Sequence, residues 1–262
     1  MAFEMDPNAR YDQPVVFGAS RLPDVTVMSD FRNAAIPFLT ERSAIERYLP
    51  RFFELAGEPV VTVSSSHNGG VDWMGDRQYN VVRVQANVTY RGSETVTGPY
   101  SLVIWESDAK PVIAGRELQG YAKIVGEIPD HVRTEDSLRF ELREYGTRLI
   151  SGMISDLKPL TSEVVTGLNK VGERAALGWK FIPSLEGGAD VDYPVKLISS
   201  GEVLEAWSGN GELHFDDPTW QQAPGSAHII EALKTLPILE YRPAVVTHSR
   251  VTLPRNAAQR LR

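Results

Sequence analysis

Apolar and polar positions along the chain alternate with period two far more often than they recur every three or four residues. The stretches "YNVVRVQANVTY" (79–90), "YSLVIW" (100–105), "DSLRFELREYG" (136–146), "PVKLISSGEVLEAWSG" (194–209) and "AVVTHSRVTL" (244–253) are rich in β-branched and aromatic residues, and each is predicted to be a strand. Turn-forming stretches, "RGSETVTG", "ESDAKP", "SLEGGADVDYP" and "SGNGE", lie between them. Helix signals are few. "SAIERYLP" (43–50) opens with a capping box, Ser43-x-x-Glu46, and stops at Pro50, while "SAHIIEALKTLP" (226–237) is bounded by Ser226 and Pro237. No internal repeat, low-complexity tract or linker divides the chain. The pattern predicts a single, mostly β (α+β) domain over residues 1–262 with a few short helices.

Composition agrees with that picture and narrows the chemistry. With 262 residues, 42% hydrophobic and 23% charged, the chain can bury a full core. No segment reaches the roughly 18 consecutive apolar residues of a membrane span. The start "MAFEMDPNAR" has no apolar signal-peptide core, so the expected compartment is the cytoplasm. The absence of cysteine removes disulfides, thiolate nucleophiles and cysteine-ligated metals together. Thirty-four acidic against 27 basic residues give a net charge of −7 with no basic stripe, which speaks against nucleic acid and for solubility. There is no P-loop, dinucleotide fingerprint or H-E-x-x-H helix, and "SGMIS" and "SGEVLE" lack the order of a nucleophile elbow. The five histidines, 67, 131, 214, 228 and 248, are scattered; only His248, inside a strand pattern, is kept as a pocket-lining candidate. Neither metal nor cofactor is expected.

One lysine stands out, in "VIAGRELQGYAKIVGEI" (112–128), where Lys123 is flanked by Tyr121, Ala122, Ile124 and Val125. An ammonium in water cannot attack a carbonyl, and burial among apolar groups disfavours the charged form, which is how proteins make Schiff-base lysines. A lysine at a strand end that snorkels to solvent is the structural alternative. If 115–123 is extended, period two gathers Glu117, Gln119, Tyr121 and Lys123 on one face. The same period groups Tyr79, Val81, Arg83 and Gln85 opposite Val82, Val84 and Ala86. Should that face turn into a barrel or cone, Arg83 becomes a clamp for a substrate carboxylate.

These residues resemble the acetoacetate decarboxylase superfamily. The likeness is carried by "GREL" (115–118) with Tyr121 and Lys123 after it, by "ESDAKPVIAGREL" leading into that motif, by "LEAWSG" (204–209), and by "VVTHSRVTLP" (245–254). The resemblance implies a mostly β, cone-like barrel enclosing a Schiff-base lysine, and a homo-oligomer. Departures from the decarboxylase pattern are also visible. Ile124 stands where those enzymes carry a second lysine, and Ala122 replaces proline. Their strand-borne acid falls on Val81, or on Asp76 after a shift, and their N-terminal pocket arginine has Arg32 only, out of register. Gln119, four residues before the lysine, is similar to a branch that binds pyruvate-type 2-oxo acids as Schiff bases and performs aldol condensation and dehydration.

The expected roles follow. Lys123 is the nucleophile; Gln119 with Arg83 or Arg116 holds the substrate carboxylate, unless Arg116 is structural and buried against Glu205 or another acid. Tyr121 or Tyr79 moves a proton, and Glu117 is an acid–base group or an orienting partner. Ile124 keeps the site apolar. The substrate expected is a small oxo acid, with an aldehyde as partner. Acetoacetate decarboxylation and a non-catalytic small-molecule binder remain as alternatives.

Overall fold

The computed structural model describes residues 4–11, 14–20, 23–170, 172–254 and 257–262. Fourteen strands belong to one sheet: β1 (Val25–Leu39), β2 (Phe53–Leu55), β3 (Val60–Val71), β4 (Arg77–Arg91), β5 (Thr95–Glu106), β6 (Lys123–Val125), β7 (Val132–Arg133), β8 (Leu138–Glu144), β9 (Thr147–Pro159), β10 (Arg174–Pro183), β11 (Ala189–Phe215), β12 (Glu240–Tyr241), β13 (Ala244–Pro254) and β14 (Ala258–Arg260). Four short α-helices, α1 (Arg42–Glu46), α2 (Ala109–Ala114), α3 (Ser162–Asn169) and α4 (Ala227–Lys234), connect or cover them.

Seven of these strands close on themselves. β5, β4, β3, β1, β13 and β11 pair in that order, and β10 completes the ring by joining β11 along its length and β5 at Leu177↔Tyr100. Closure gives this part of the sheet an inside. β11 makes both the ring and its extension: its 27 residues pair first with β10, then with β13, and finally with β9, which leads on to β8 and β7. Register shifts at Val203/Glu205 and Ser208/Asn210 let the long strand bend between partners.

Period-two alternation sorts side chains between two cores. Met28, Val71, Tyr79, Val81, Ile104 and Tyr121 cluster inside the ring. Their alternates Val82, Val84, Val103 and Trp105 join Ile36, Leu142, Ile150 and Ile230 in the larger core, which is covered by β8, β9 and α4. The polar face expected to be interior if a cone formed is therefore interior, and the five predicted strands all form.

Four local expectations are corrected, the first being the turn expected at "SGNGE" (208–212), which lies inside β11. Ser43 does not cap α1: the helix begins at Arg42 after Glu41 with no side-chain cap, and Glu46 instead pairs with Arg42 at 3.2 Å. "ESDAKP" is not simply a turn, because Asp108 caps α2 by accepting from the Lys110 amide at 2.7 Å. Residues 115–123 are not extended: α2 runs straight into a π-helical turn, Gly115–Gln119, which ends at Gly120. Among the described residues no helix is long and apolar enough to cross a membrane.

Candidate active site

Lys123 opens β6, a short strand lying parallel to β5 with Lys123 opposite Ile104. Ile104 in turn faces Arg83 on β4. The three residues form one rung of the sheet on the inner face, so the Lys123 and Arg83 backbones stand about 10 Å apart, two strand spacings. Glu106, two residues beyond Ile104 on the same face, is the diagonal neighbour of Lys123. Lys123 Nζ lies 2.8 Å from Glu106 Oε1, with the two side chains 10% and 2% exposed. The amine also donates to the Pro111 carbonyl at 3.2 Å.

This pair sits in the wall of a cavity of about 200 Å³ inside the ring, whose lining includes Ser66, Asn68, Tyr79, Arg83, Ile104, Gln119 and Tyr121. The helical connection between β5 and β6 brings the lysine so close. A Cβ on Gly115 would lie 2.3 Å from Lys123 Cδ and 2.6 Å from Nζ, so the aliphatic arm lies directly on the glycine. Gly120 ends the turn in the left-handed region (φ 77°), and a Cβ there would meet Lys180 Cβ at 2.6 Å. The chain thereby reverses fast enough to aim Gln119, Tyr121 and Lys123 at one space.

The convergence expected of 115–123 thus holds for three of its four residues, through a helical turn instead of a strand. Glu117 and Arg116 fall on the outer side of that turn, exposed and outside the cavity lining. Arg116 does not meet Glu205; its Nη1 donates to the Lys123 carbonyl at 3.0 Å and so anchors the start of β6. Ile124 does not keep the site apolar either. As the alternate of Lys123 it points to the other face and packs on the larger core. The apolar surroundings come from Met28, Phe31, Ile104 and Leu253.

The acid of the cavity is Glu106, which sequence reasoning missed. Val81 lies in the apolar cluster, and Asp76 occupies an exposed left-handed turn (φ 58°). A signal was present: Glu106 is a charge closing the otherwise apolar strand "YSLVIWE", in phase with Ile104. Arg32, the alternate of the cavity-lining Phe31, is 59% exposed and bound to Asp30 through two hydrogen bonds, each 2.8 Å. Arg10 lines the cavity in its place. His248 does not line it: Nε2 lies 3.0 Å from Asp30 Oδ1 and Nδ1 lies 3.6 Å from Glu205 Oε2.

The phenols are neutral donors at ordinary pH. Burial foremost, and then the Glu106 charge, holds Tyr79 far above the usual phenol range against smaller opposing effects of Asn68 and Arg83. Burial does the same to Tyr121, with Arg83 opposing. Tyr121 Oη, Arg83 Nε and Glu106 Oε2 are buried without hydrogen-bond partners among the described residues. A ligand that meets such groups is favoured, since a buried unmet hydrogen bond costs about 1–3 kcal/mol. Among the described residues no group of three His, Asp or Glu side chains is placed to hold a metal ion.

Comparison with known proteins agrees with this architecture. The sequence profile of the acetoacetate decarboxylase family matches residues 14–254. Decarboxylase DEC1 of Cochliobolus heterostrophus is 27% identical over 226 residues, which cover 82% of this chain and 80% of that protein. An acetoacetate decarboxylase structure superposes with a TM-score of 0.78 at 18% identity, covering 96% of this chain and 95% of the other. The enduracididine biosynthesis enzyme MppR, complexed with pyruvate, superposes with a TM-score of 0.71 at 16% identity over 99% of each chain. MppR is also known complexed with the condensation product of pyruvate and imidazole 4-carboxaldehyde. At such identities these structures speak for the shared fold.

Proposed function

Because the chain belongs to the acetoacetate decarboxylase family, we propose that it is a Schiff-base lyase in which Lys123 condenses with a small 2-oxo acid such as pyruvate and the resulting enamine adds to an aldehyde. The observation that carries this reading is the buried Lys123–Glu106 pair, 2.8 Å apart in the cavity wall. Passing the shared proton to Glu106 frees the nitrogen lone pair. The amine then attacks the C2 carbonyl, and Glu106 returns its proton to the departing oxygen, which leaves as water; an iminium remains beside the Glu106 carboxylate.

Glu106, already on the nitrogen, is within reach of the carbon next to the iminium. Taking a C3 proton there, it converts the iminium to an enamine. The enamine carbon forms a bond to the aldehyde carbon, whose oxygen takes up a proton, with Tyr121 as the neutral donor. Glu106 gives the proton it took to the C4 oxygen, which leaves as water, while the second C3 proton passes to the Tyr121 phenolate; this makes the C3–C4 double bond, and hydrolysis of the iminium returns the Lys123 amine and an unsaturated 2-oxo acid. Arg83 and Gln119 hold the substrate carboxylate. A cation with an unmet Nε in the cavity favours a carboxylate that is kept over one that must leave.

Decarboxylation of acetoacetate is the second reading, favoured by the likeness to Decarboxylase DEC1. One experiment separates the two. The protein is incubated with pyruvate or with acetoacetate under cyanoborohydride, and intact mass and peptide mapping locate the adduct. A pyruvate adduct on Lys123, absent from Lys123→Ala, is the expected result; an acetone-sized adduct from acetoacetate with release of carbon dioxide would install the decarboxylase. Turnover by a folded Lys123→Ala protein would refute both.

A further inference from the structure

A second chamber, about 220 Å³, adjoins the Lys123 cavity across Gln119, and Arg10, Gln119 and Pro254 stand in the walls of both. Leu118 and Lys180 complete much of the second wall, which includes no carboxylate among the described residues. Among the described residues the lining of the two chambers includes Arg83, Lys123 and Lys180 against one carboxylate, Glu106. That balance inverts the chain as a whole, whose net charge is −7. A positive hollow in an acidic protein gathers anions.

The cations are not interchangeable. Glu106 accounts for Lys123, and Arg83 is assigned above to the carboxylate of the 2-oxo acid. Lys180 is half-buried, and no carboxylate pairs with its amine among the described residues. Its stem is seated: Gly120 packs against Lys180 Cα and Cβ so tightly that a glycine Cβ would stand 2.9 and 2.6 Å from them. The turn that delivers Lys123 to the first chamber therefore also fixes Lys180 in the second.

We propose that the second chamber is the acceptor subsite, that it takes an aldehyde bearing a carboxylate at its far end, and that Lys180 is the residue that selects it. This rests on the aldol reading of Lys123, because an acceptor must reach the enamine carbon while its other end passes Gln119. A neutral aldehyde would leave the Lys180 charge half-desolvated and unanswered; an anionic one answers it.

The test compares 4-oxobutanoate with butanal, which share a carbon chain and differ in the terminal carboxylate, as acceptors for pyruvate. Wild type is expected to favour the anion by at least about tenfold in kcat/KM, the worth of one charge-assisted contact. Lys180→Met, which keeps the stem packed on Gly120, is expected to lose that preference. Equal kcat/KM for the two aldehydes in wild type, or the same ratio in wild type and Lys180→Met, overturns the proposal. Binding of 2-oxoheptanedioate and of 2-oxoheptanoate, measured by calorimetry, needs no turnover and keeps the two readings apart. If no pyruvate adduct forms on Lys123, the aldol reading fails; the subsite still stands if the dicarboxylate binds about tenfold tighter in wild type and not in Lys180→Met. Equal affinity for both acids removes the subsite whether or not the adduct forms.

Discussion

Gly115→Ala isolates the position of the lysine from the stability of the fold. The glycine has helical torsions (φ −68°, ψ −38°), so alanine fits its backbone, and in a helix alanine is favoured over glycine by about 1 kcal/mol. The new methyl, however, would stand 2.3 Å from Lys123 Cδ, 2.5 Å from Cε and 2.6 Å from Nζ. Carbon atoms rest near 3.5–4.0 Å, so the arm must retreat by about 1 Å or more. That is enough to pull Nζ off Glu106, from which it now stands 2.8 Å. Misplacing a reacting group by about 1 Å costs on the order of 100-fold in rate, or roughly 2.7 kcal/mol of transition-state stabilisation. The expected outcome is a denaturation midpoint close to wild type, with pyruvate trapping by cyanoborohydride slowed about 100-fold. The assay is the pseudo-first-order rate of adduct appearance by intact mass, beside urea unfolding on the same samples. A Gly115→Ala protein that traps pyruvate at the wild-type rate would show that the Lys123 arm does not need its place on the glycine.

Glu106→Gln keeps the shape beside Lys123 and removes the base, so trapping of the pyruvate adduct and exchange of the pyruvate methyl protons for deuterium, followed by NMR, should both slow by about 100-fold or more; unchanged exchange would assign the base elsewhere. His131, whose Nε2 lies 2.9 Å from Ser65 Oγ, is pushed down to about 4 by burial first and by neighbouring His67 next. Its folded value lies below the unfolded one near 6.5, so between those values the unfolded chain binds a proton that the native protein does not. Stability should therefore be full above about pH 6.5 and fall towards pH 4, by up to about 3 kcal/mol from this residue. His131→Gln should flatten that fall in urea midpoints measured at pH 7 and pH 5, and an unaltered slope would count against the assignment. Ser226→Ala strands the buried Trp105 Nε1–H, which now donates to Ser226 Oγ at 3.0 Å, and should cost about 1–3 kcal/mol in urea unfolding without slowing adduct formation; a loss confined to adduct formation would contradict a structural role.

Strand positions were legible in the amino-acid order because period two is a local property. Tyr79 to Tyr90 alternates whether or not the sheet closes, and the same pattern separates Arg83 from Val82 and Val84. Lys123 was legible for a related reason, as a charge among apolar neighbours followed by a strand. The helix over 109–119 was not. Its cap, Asp108, stands in a stretch rich in turn formers, and "GRELQGYAK" alternates polar and apolar well enough to imitate a strand. Short helices are set by capping and packing more than by pattern. The error changed the outcome for Glu117 and Arg116, which a helical turn throws outward, and spared Gln119 and Tyr121, which lie where the turn ends.

The amino-acid sequence by itself determined the strands, the alternation that divides their faces, the freedom from cysteine chemistry and the lysine worth asking about. Tertiary structure decided which face became the inside. Closure of the ring at Leu177 and Tyr100 turned a polar strand face into a cavity wall, and the parallel pairing of β6 with β5 set Glu106 diagonally beside Lys123. Neither is visible in local order, because residues 106 and 123 are joined by a helical turn whose course depends on Gly115 and Gly120 packing against Lys123 and Lys180. Alternation along a strand is dictated by bond geometry, whereas the meeting of two strands depends on everything the chain does between them.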